Sequence, residues 1–359
     1  MYSTYNKGEW SETYAILKLV SEKQLHLGNY NLEKIKDYFL PIISVIKNEK
    51  NRQINFSYEN ELIIISNGNE IFRENISEFI KYSKICFDAI KIGKGSFPIP
   101  EIEDFLNSFS VGVSKEKATN KSDVVIEIND PNTFVSVPLG FSIKSQMGSP
   151  STLVNASGPT NFTFQLLCKN LSEEFIEEFN LIENFAGKFK LLESQNIQLQ
   201  YSKMDNRIFR SNLESYGRDF DKILAEMLIL FYKNDNSKNN SVFKFLEIIT
   251  KNNPVNYDLE TNDERYFFLM RHFLYDYALG MRAGEIWKQN FQASGGYIIV
   301  KKDGEIVCYH FYFRNEFETY LLQNTKFETP STSRHKFGEI LKIDSDYFIK
   351  LNLQIRFST

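Results

Sequence analysis

Asp123 and Lys144 are the two residues whose types and spacing could act together on a phosphodiester. Such a reaction needs hard oxygen ligands for a divalent cation and a cationic group beside the scissile phosphate, with water as nucleophile. Asp123 opens the run Val124, Val125, Ile126 and Ile128, whose β-branched residues predict a strand over 124–128. A loop holding Pro131 and Pro138 follows, and residues 140–145 predict a second strand carrying Ser142, Ile143 and Lys144. Residues two apart on a strand point to one face, so Ser142 and Lys144 project together. With the two strands adjacent, Asp123, Ser142 and Lys144 converge. Asp123 would then bind the metal, and the backbone carbonyl of Ile143 and the hydroxyl of Ser142 would complete part of its shell. Lys144 would orient and help deprotonate the attacking water and offset charge on the phosphate.

Ser142 is neutral, which leaves the cation one carboxylate short. Glu12 is the candidate to supply it, Glu9 lies one turn earlier on the same predicted helix, and Glu127 on the first strand is the reserve. The plainer reading of Glu9 and Glu12 is a solvated helix face. Spacing like that of Asp123 and Lys144 also recurs in many proteins, so it nominates a site and not a reaction.

The elements that must position these residues are legible in the periodicity. Trp10, Tyr14, Leu17 and Val20 recur at helical spacing and predict an amphipathic helix over 8–21. Asn31 and Asn75 stand as N-caps before predicted helices at 32–47 and 76–90, with a polar strand pair near 54–58 and 62–66 between them. The stretch GKGSFPIP interrupts, and a short helix is expected over 101–109. A third strand is expected over 161–168. Segments 171–193, 212–234, 241–252 and 262–283 carry helical periodicity and suggest a helical second lobe or insertion. Near the end, GGYIIVKKDGEIVCYHFYF predicts a hairpin around Asp303-Gly304, a dipeptide that accepts the positive φ of a tight turn. A last strand covers 347–357. The expected fold class is therefore α+β, a mixed sheet with helical insertions and a C-terminal hairpin region. Residues 1–200 would hold the catalytic strands and 201–359 the helices and hairpin, together as one compact unit.

With 359 residues, 42% hydrophobic and 15% aromatic, the chain has the apolar area for a sizeable core, which excludes a disordered or fibrous protein. Cys86, Cys168 and Cys308 are odd in number and form no CxxC pair, so neither a disulfide framework nor a zinc site is expected. The N-terminus lacks a basic segment followed by an apolar stretch, and no run of about eighteen apolar residues occurs. A signal peptide and a membrane span are therefore not expected, and the protein is placed in the cytoplasm. A formal net charge of -4 counts weakly against nucleic acid, although a basic cleft can hide within an acidic total. His26, His272 and His310 lack ligand-spaced partners, and the cluster Tyr266, Phe267, Phe268, Phe273 and Tyr275 reads as helical core. Neither a GxSxG elbow nor a Walker loop is present.

The segments NKGEWSETYAILKLV, LGFSIKSQMGSPSTLVNASGPTNF and NTKFETPSTSRHKFGEI, with FIKLNLQIRF, resemble the HpaII family of type II restriction endonucleases. They span both ends and the middle, so the resemblance covers essentially the whole chain. It implies a PD-(D/E)XK-type nuclease core, Mg2+ dependence and double-strand cleavage of DNA at the palindrome CCGG, with host DNA protected by a separate methyltransferase. The motif stands here as Asp123 with Ser142-Ile143-Lys144, the acidic member replaced by Ser142, which puts the number of metal ions and the role of Glu12 in question. The same departure motivates an alternative, a catalytically inactive sequence-specific DNA-binding protein of the same fold. A nuclease for damaged or structured nucleic acid is a third reading. A palindromic site would favour a homodimer by symmetry.

Reading G·C pairs in the major groove calls for Arg or Lys against guanine O6 and N7. The strongest local supplier is Thr332, Ser333, Arg334, His335 and Lys336, with Lys326 upstream. Arg334 is assigned to a base edge and Lys336 to phosphate, against the alternative of a solvated basic loop. Gln146, Ser149, Ser151, Thr152 and Asn155 form a polar loop that begins at the catalytic strand and is expected to contact phosphate or base. Lys301 and Lys302 on the hairpin would hold the DNA backbone, since phosphate contacts fix register without reading sequence.

Overall fold

The structure is a computed structural model that describes residues 2–49, 52–113, 122–129, 135–234, 240–331 and 337–358. They form two units, one of Met1–Ser151 with Phe291–Tyr320 and the other of Thr152–Asn290 with Leu321–Ser358. Both mix helices and strands, so the architecture is α+β.

Helix Lys7–Glu22 opens the first unit, and its start is fixed by a capping box. The Asn6 side chain accepts from the backbone N–H groups of Gly8 and Glu9 at 2.8 and 3.1 Å, while the Glu9 carboxylate accepts from Asn6 N–H at 2.8 Å. A cap of this kind contributes about 1 kcal/mol. The residues at helical spacing, Trp10, Tyr14, Leu17 and Val20, are all buried, and the Trp10 indole donates to the Phe97 carbonyl at 2.9 Å. They join one core with Ile42, Val45, Val124, Ile126, Phe141 and Ile298.

Six strands of this unit close on themselves in a mixed, barrel-like sheet. Their order is Gln24–Gly28, Ile306–Tyr309, Gly296–Val300, Ser136–Ser145, Val124–Asn129 and Lys34–Glu49, the last pairing back to the first. Three more strands, Arg52–Glu59, Leu62–Asn67 and Glu70–Asn75, extend it antiparallel. Val124–Asn129 lies antiparallel to Ser136–Ser145 with Val124 opposite Phe141. Gly296–Val300 adds parallel on the far side of Ser136–Ser145, with Tyr297 opposite Ser142.

The helix expected over 32–47 is instead the strand Lys34–Glu49. Pro41 falls in its middle, where a helix would lose a hydrogen bond and meet the proline ring at a cost of about 3 kcal/mol. Ile42, Ile43, Val45 and Ile46 add β-branched residues that favour the pleated state. Asn31 accordingly caps nothing, whereas Asn75 does cap Ile76–Ile92, accepting from Ser77 N–H at 2.9 Å.

Gly296 is where the parallel strand enters the sheet. Its φ is +103°, and a Cβ there would lie 1.9 Å from the Tyr309 carbonyl oxygen. Only glycine tolerates both conditions. Gly296→Ala is therefore expected to lose at least about 2 kcal/mol of stability in urea unfolding. An unchanged midpoint would mean that this strand can shift aside.

In the second unit the helices Glu173–Leu181, Phe185–Ser194, Arg207–Glu214, Phe220–Lys233, Val242–Asn252 and Arg265–Leu279 match the periodic segments. The unit also carries two sheets, one of Gln198–Met204, Asn161–Leu167, Asp346–Asn352 and Ile340–Ile343 in that order, the other of Thr152–Val154, Ile355–Phe357 and Thr325–Phe327. Tyr266, Phe273 and Tyr275 are buried as core residues, while Phe268 is exposed. Cys86, Cys168 and Cys308 are free thiols. Among the described residues no helix is long and apolar enough to cross a membrane.

Candidate active site

Asp123 sits one residue before its strand, held by its own N–H donating to the Phe141 carbonyl at 2.7 Å. This places its carboxylate beside the outgoing half of Ser136–Ser145. Oδ2 accepts from the backbone N–H of Ile143 at 2.7 Å and from the Ser142 hydroxyl at 3.0 Å. The Lys144 ammonium in turn donates to the Ser142 oxygen at 2.9 Å. The three residues singled out by strand parity thus form one hydrogen-bonded chain, Lys144 to Ser142 to Asp123, with Ser142 buried at its centre.

Tyr297 completes the arrangement from the parallel strand. The Lys144 nitrogen lies 5.3 Å from its ring centroid, within range of a cation–π attraction. Burial raises the pKa of the Tyr297 phenol, and the nearby Asp123 charge raises it further, so the ring stays neutral at physiological pH. Nothing in the sequence marks Tyr297, because its place depends on a pairing between distant segments.

Beyond this chain a cleft of about 590 Å³ is lined by Glu12, Ile143, Lys144, Ser145, Ser149 and Ser151, among others. Ser11 anchors the helix to this wall, its hydroxyl 2.7 Å from that of Ser145. Of the three acids considered, Glu12 is the one that lines the cleft. Glu9 is engaged in the helix cap, and Glu127, four residues along the strand from Asp123, accepts from the Ser44 hydroxyl at 2.9 Å. Among the described residues no group of three or more His, Cys, Asp or Glu side chains could hold a metal ion. A donor set of one or two carboxylates with a carbonyl suits magnesium, which binds few carboxylates and keeps several waters.

The remaining expected contacts fall in different places. Gln146 follows the strand Ser136–Ser145, its N–H donating to the Val300 carbonyl at 2.9 Å. Lys301 is paired with Asp303 at 3.0 Å, and Lys302 is exposed at the hairpin turn. Thr152 and Asn155 belong to the second unit, where they line a polar cleft of about 350 Å³ with Glu328, Ser331, Gln354 and Arg356. Lys326 lies in the strand Thr325–Phe327 of the same unit. Thr332, Ser333, Arg334, His335 and Lys336 lie outside the described residues.

The chain matches the family model for the HpaII restriction endonuclease over residues 6–357. It is similar to the Type II restriction enzyme HpaII of Haemophilus parainfluenzae, with 43% identity over 356 residues that cover 98% of each chain. No solved structure matches it.

Proposed function

Because the chain belongs to the HpaII restriction endonuclease family and is thus a type II restriction enzyme, we propose that it makes Mg2+-dependent double-strand cuts in DNA at CCGG, using Asp123, Ser142, Lys144 and Glu12. The observation that carries this assignment is the Lys144–Ser142–Asp123 hydrogen-bonded chain at the end of two paired strands. A PD-(D/E)XK-type core is supported by the run of strands around it. Lys34–Glu49, Val124–Asn129 and Ser136–Ser145 are successively antiparallel, Gly296–Val300 joins parallel, and of the two central strands one is directly preceded by the acid and the other carries the lysine.

Asp123, Glu12 and the Ile143 carbonyl would hold the ion. On a strand the C=O of a residue faces the same side as its N–H, and the Ile143 N–H already meets the Asp123 carboxylate. Ser142 gives its proton to Asp123 and one lone pair to Lys144, which leaves a second lone pair for the ion. Magnesium supplies positive charge for the phosphate and acidity for water. Lys144 holds a fixed cation at the scissile phosphate and orients the attacking water. Water adds to phosphorus and gives up a proton as the bond to the 3′ oxygen breaks, and that oxygen takes up a proton from solvent, leaving 3′-hydroxyl and 5′-phosphate ends.

Glu12→Gln tests the second carboxylate separately. It should raise the Mg2+ concentration for half-maximal cleavage by about 10- to 100-fold, with activity recovering at saturation. An unchanged requirement would remove Glu12 from the site. For DNA contacts we assign Gln146, Ser149, Ser151, Thr152, Asn155, Lys301 and Lys326, with the segment from Thr332 to Lys336 supplying Arg334 to a base edge. A homodimer matches the two-fold symmetry of the palindrome. A separate methyltransferase would protect host DNA in the cytoplasm.

The deciding experiment is digestion of unmethylated plasmid by the purified protein, in Mg2+ and in EDTA, with end sequencing of the fragments. Discrete fragments ending within CCGG, formed only with Mg2+, are expected. Intact DNA with tight binding to that site would instead support the inactive sequence-specific binder, the reading that the neutral Ser142 favours.

A further inference from the structure

We infer that Arg356, in the polar cleft of the second unit, reads a guanine of the recognition site, given the DNA-cutting assignment above on which this rests. The strand Ile355–Phe357 turns Ile355 and Phe357 into the core, and alternation turns Arg356 to the opposite face. Arg356 is the middle of a row. Thr152 stands opposite it on one neighbouring strand and Lys326 opposite it on the other, so the three side chains share a face.

Two features of this row point to an anionic, acceptor-rich ligand. Like charges directly opposite each other across a sheet are destabilising, yet Arg356 and Lys326 are so placed. Glu328 offsets part of that repulsion, its carboxylate 3.3 Å from Arg356 Nη1. The second feature is the Arg356 Nε, which is buried and has no hydrogen-bond partner among the described residues. A buried donor left unmade is costly, so Glu328 does not satisfy the guanidinium fully, and the side chain, 30% exposed in the lining of the cleft, can turn to donate to a group that enters.

The cleft is built for a base edge and not for a phosphate alone. Thr152, Asn155 and Gln354 line it beside Arg356. Their hydroxyl and amide groups both donate and accept, as base edges require, whereas a phosphate offers acceptors only. The fork of Arg matches guanine O6 and N7. Lys326 is not among the residues lining the cleft and suits the adjoining phosphate, which would fix register. Glu328 is a positioning residue that holds the guanidinium plane.

The test is a cycle of protein and base changes, read as kcat/KM on short duplexes. The wild type is compared on CCGG and on duplexes in which each guanine in turn is 7-deazaguanine, which lacks the N7 acceptor. One of these should slow it by about 5- to 150-fold. Arg356→Gln should be slowed comparably on ordinary DNA and should then be indifferent to that same 7-deazaguanine. Equal further loss on the modified duplex would show that the two changes act independently, and would overturn base reading in favour of a phosphate or structural role. Arg356→Lys, checked by its Tm, runs the same cycle if the glutamine variant does not fold. Should the wild type fail to cut any CCGG duplex, the cleavage assignment itself falls, an outcome distinct from a wild type that cuts and senses N7 while Arg356→Gln senses it equally.

Discussion

Asp123→Asn is expected to bind its DNA site and fail to cut it. The amide has the size of the carboxylate, and its oxygen can still accept from the Ile143 N–H that Asp123 accepts at 2.7 Å, so the strand ends should stay in register. What disappears is the negative charge that would bind the cation. Charge stabilisation of this kind amounts to several kcal/mol in the transition state, so single-turnover cleavage should fall by at least about a hundred- to a thousandfold. Binding should hold or tighten, because an acid that repels phosphate has been neutralised. Gel-shift titration beside a cleavage time course separates the two effects. Undiminished cutting would remove Asp123 from the active site.

Lys144→Met should be nearly as damaging for a different reason. Methionine preserves the stem over Tyr297 and loses the ammonium that donates to Ser142 at 2.9 Å. Removing a preorganised donor or charge at a reacting centre costs about a hundred- to a thousandfold in rate. The Mg2+ concentration dependence should stay close to that of the wild type, unlike that of Glu12→Gln. Lys144→Arg should recover only part of the loss, since a flat guanidinium does not reproduce a compact ammonium bonded to one hydroxyl. Wild-type rates in Lys144→Met would leave the cation without a role.

The site was legible where it depended on local pattern. The β-branched run after Asp123 and the parity of Ser142 and Lys144 were enough to bring the three residues together, because alternation along a strand is fixed by the backbone. Glu12 was nominated only to make good the carboxylate that Ser142 lacks, against the plainer reading of a solvated helix face, and the structure places it in the lining of the cleft. Local pattern failed at 32–47, where an apolar run fits either period and Pro41 carried the deciding information. It also could not reach Tyr297 or Arg356. Each is one residue in an otherwise apolar strand, and each acquires its neighbours only when segments far apart in sequence pair. Thr152 and Lys326 were singled out separately, on different grounds, and only the three-stranded sheet shows that Arg356 stands between them.

The strand Gly296–Val300 pairs with Ser136–Ser145, and the whole second-unit stretch Thr152–Asn290 is translated between them. A ribosome therefore finishes Asp123 and Lys144 long before it makes the strand that brings Tyr297 under the lysine. Until then the lysine strand is an open edge on that side, and Lys144 lacks the aromatic ring beside it. A chain interrupted between residues 145 and 295 carries every proposed catalytic side chain and still lacks the strand that lays Tyr297 beside Lys144. If these residues cut as proposed, that order of synthesis leaves their surroundings incomplete until the strand Gly296–Val300 has been translated.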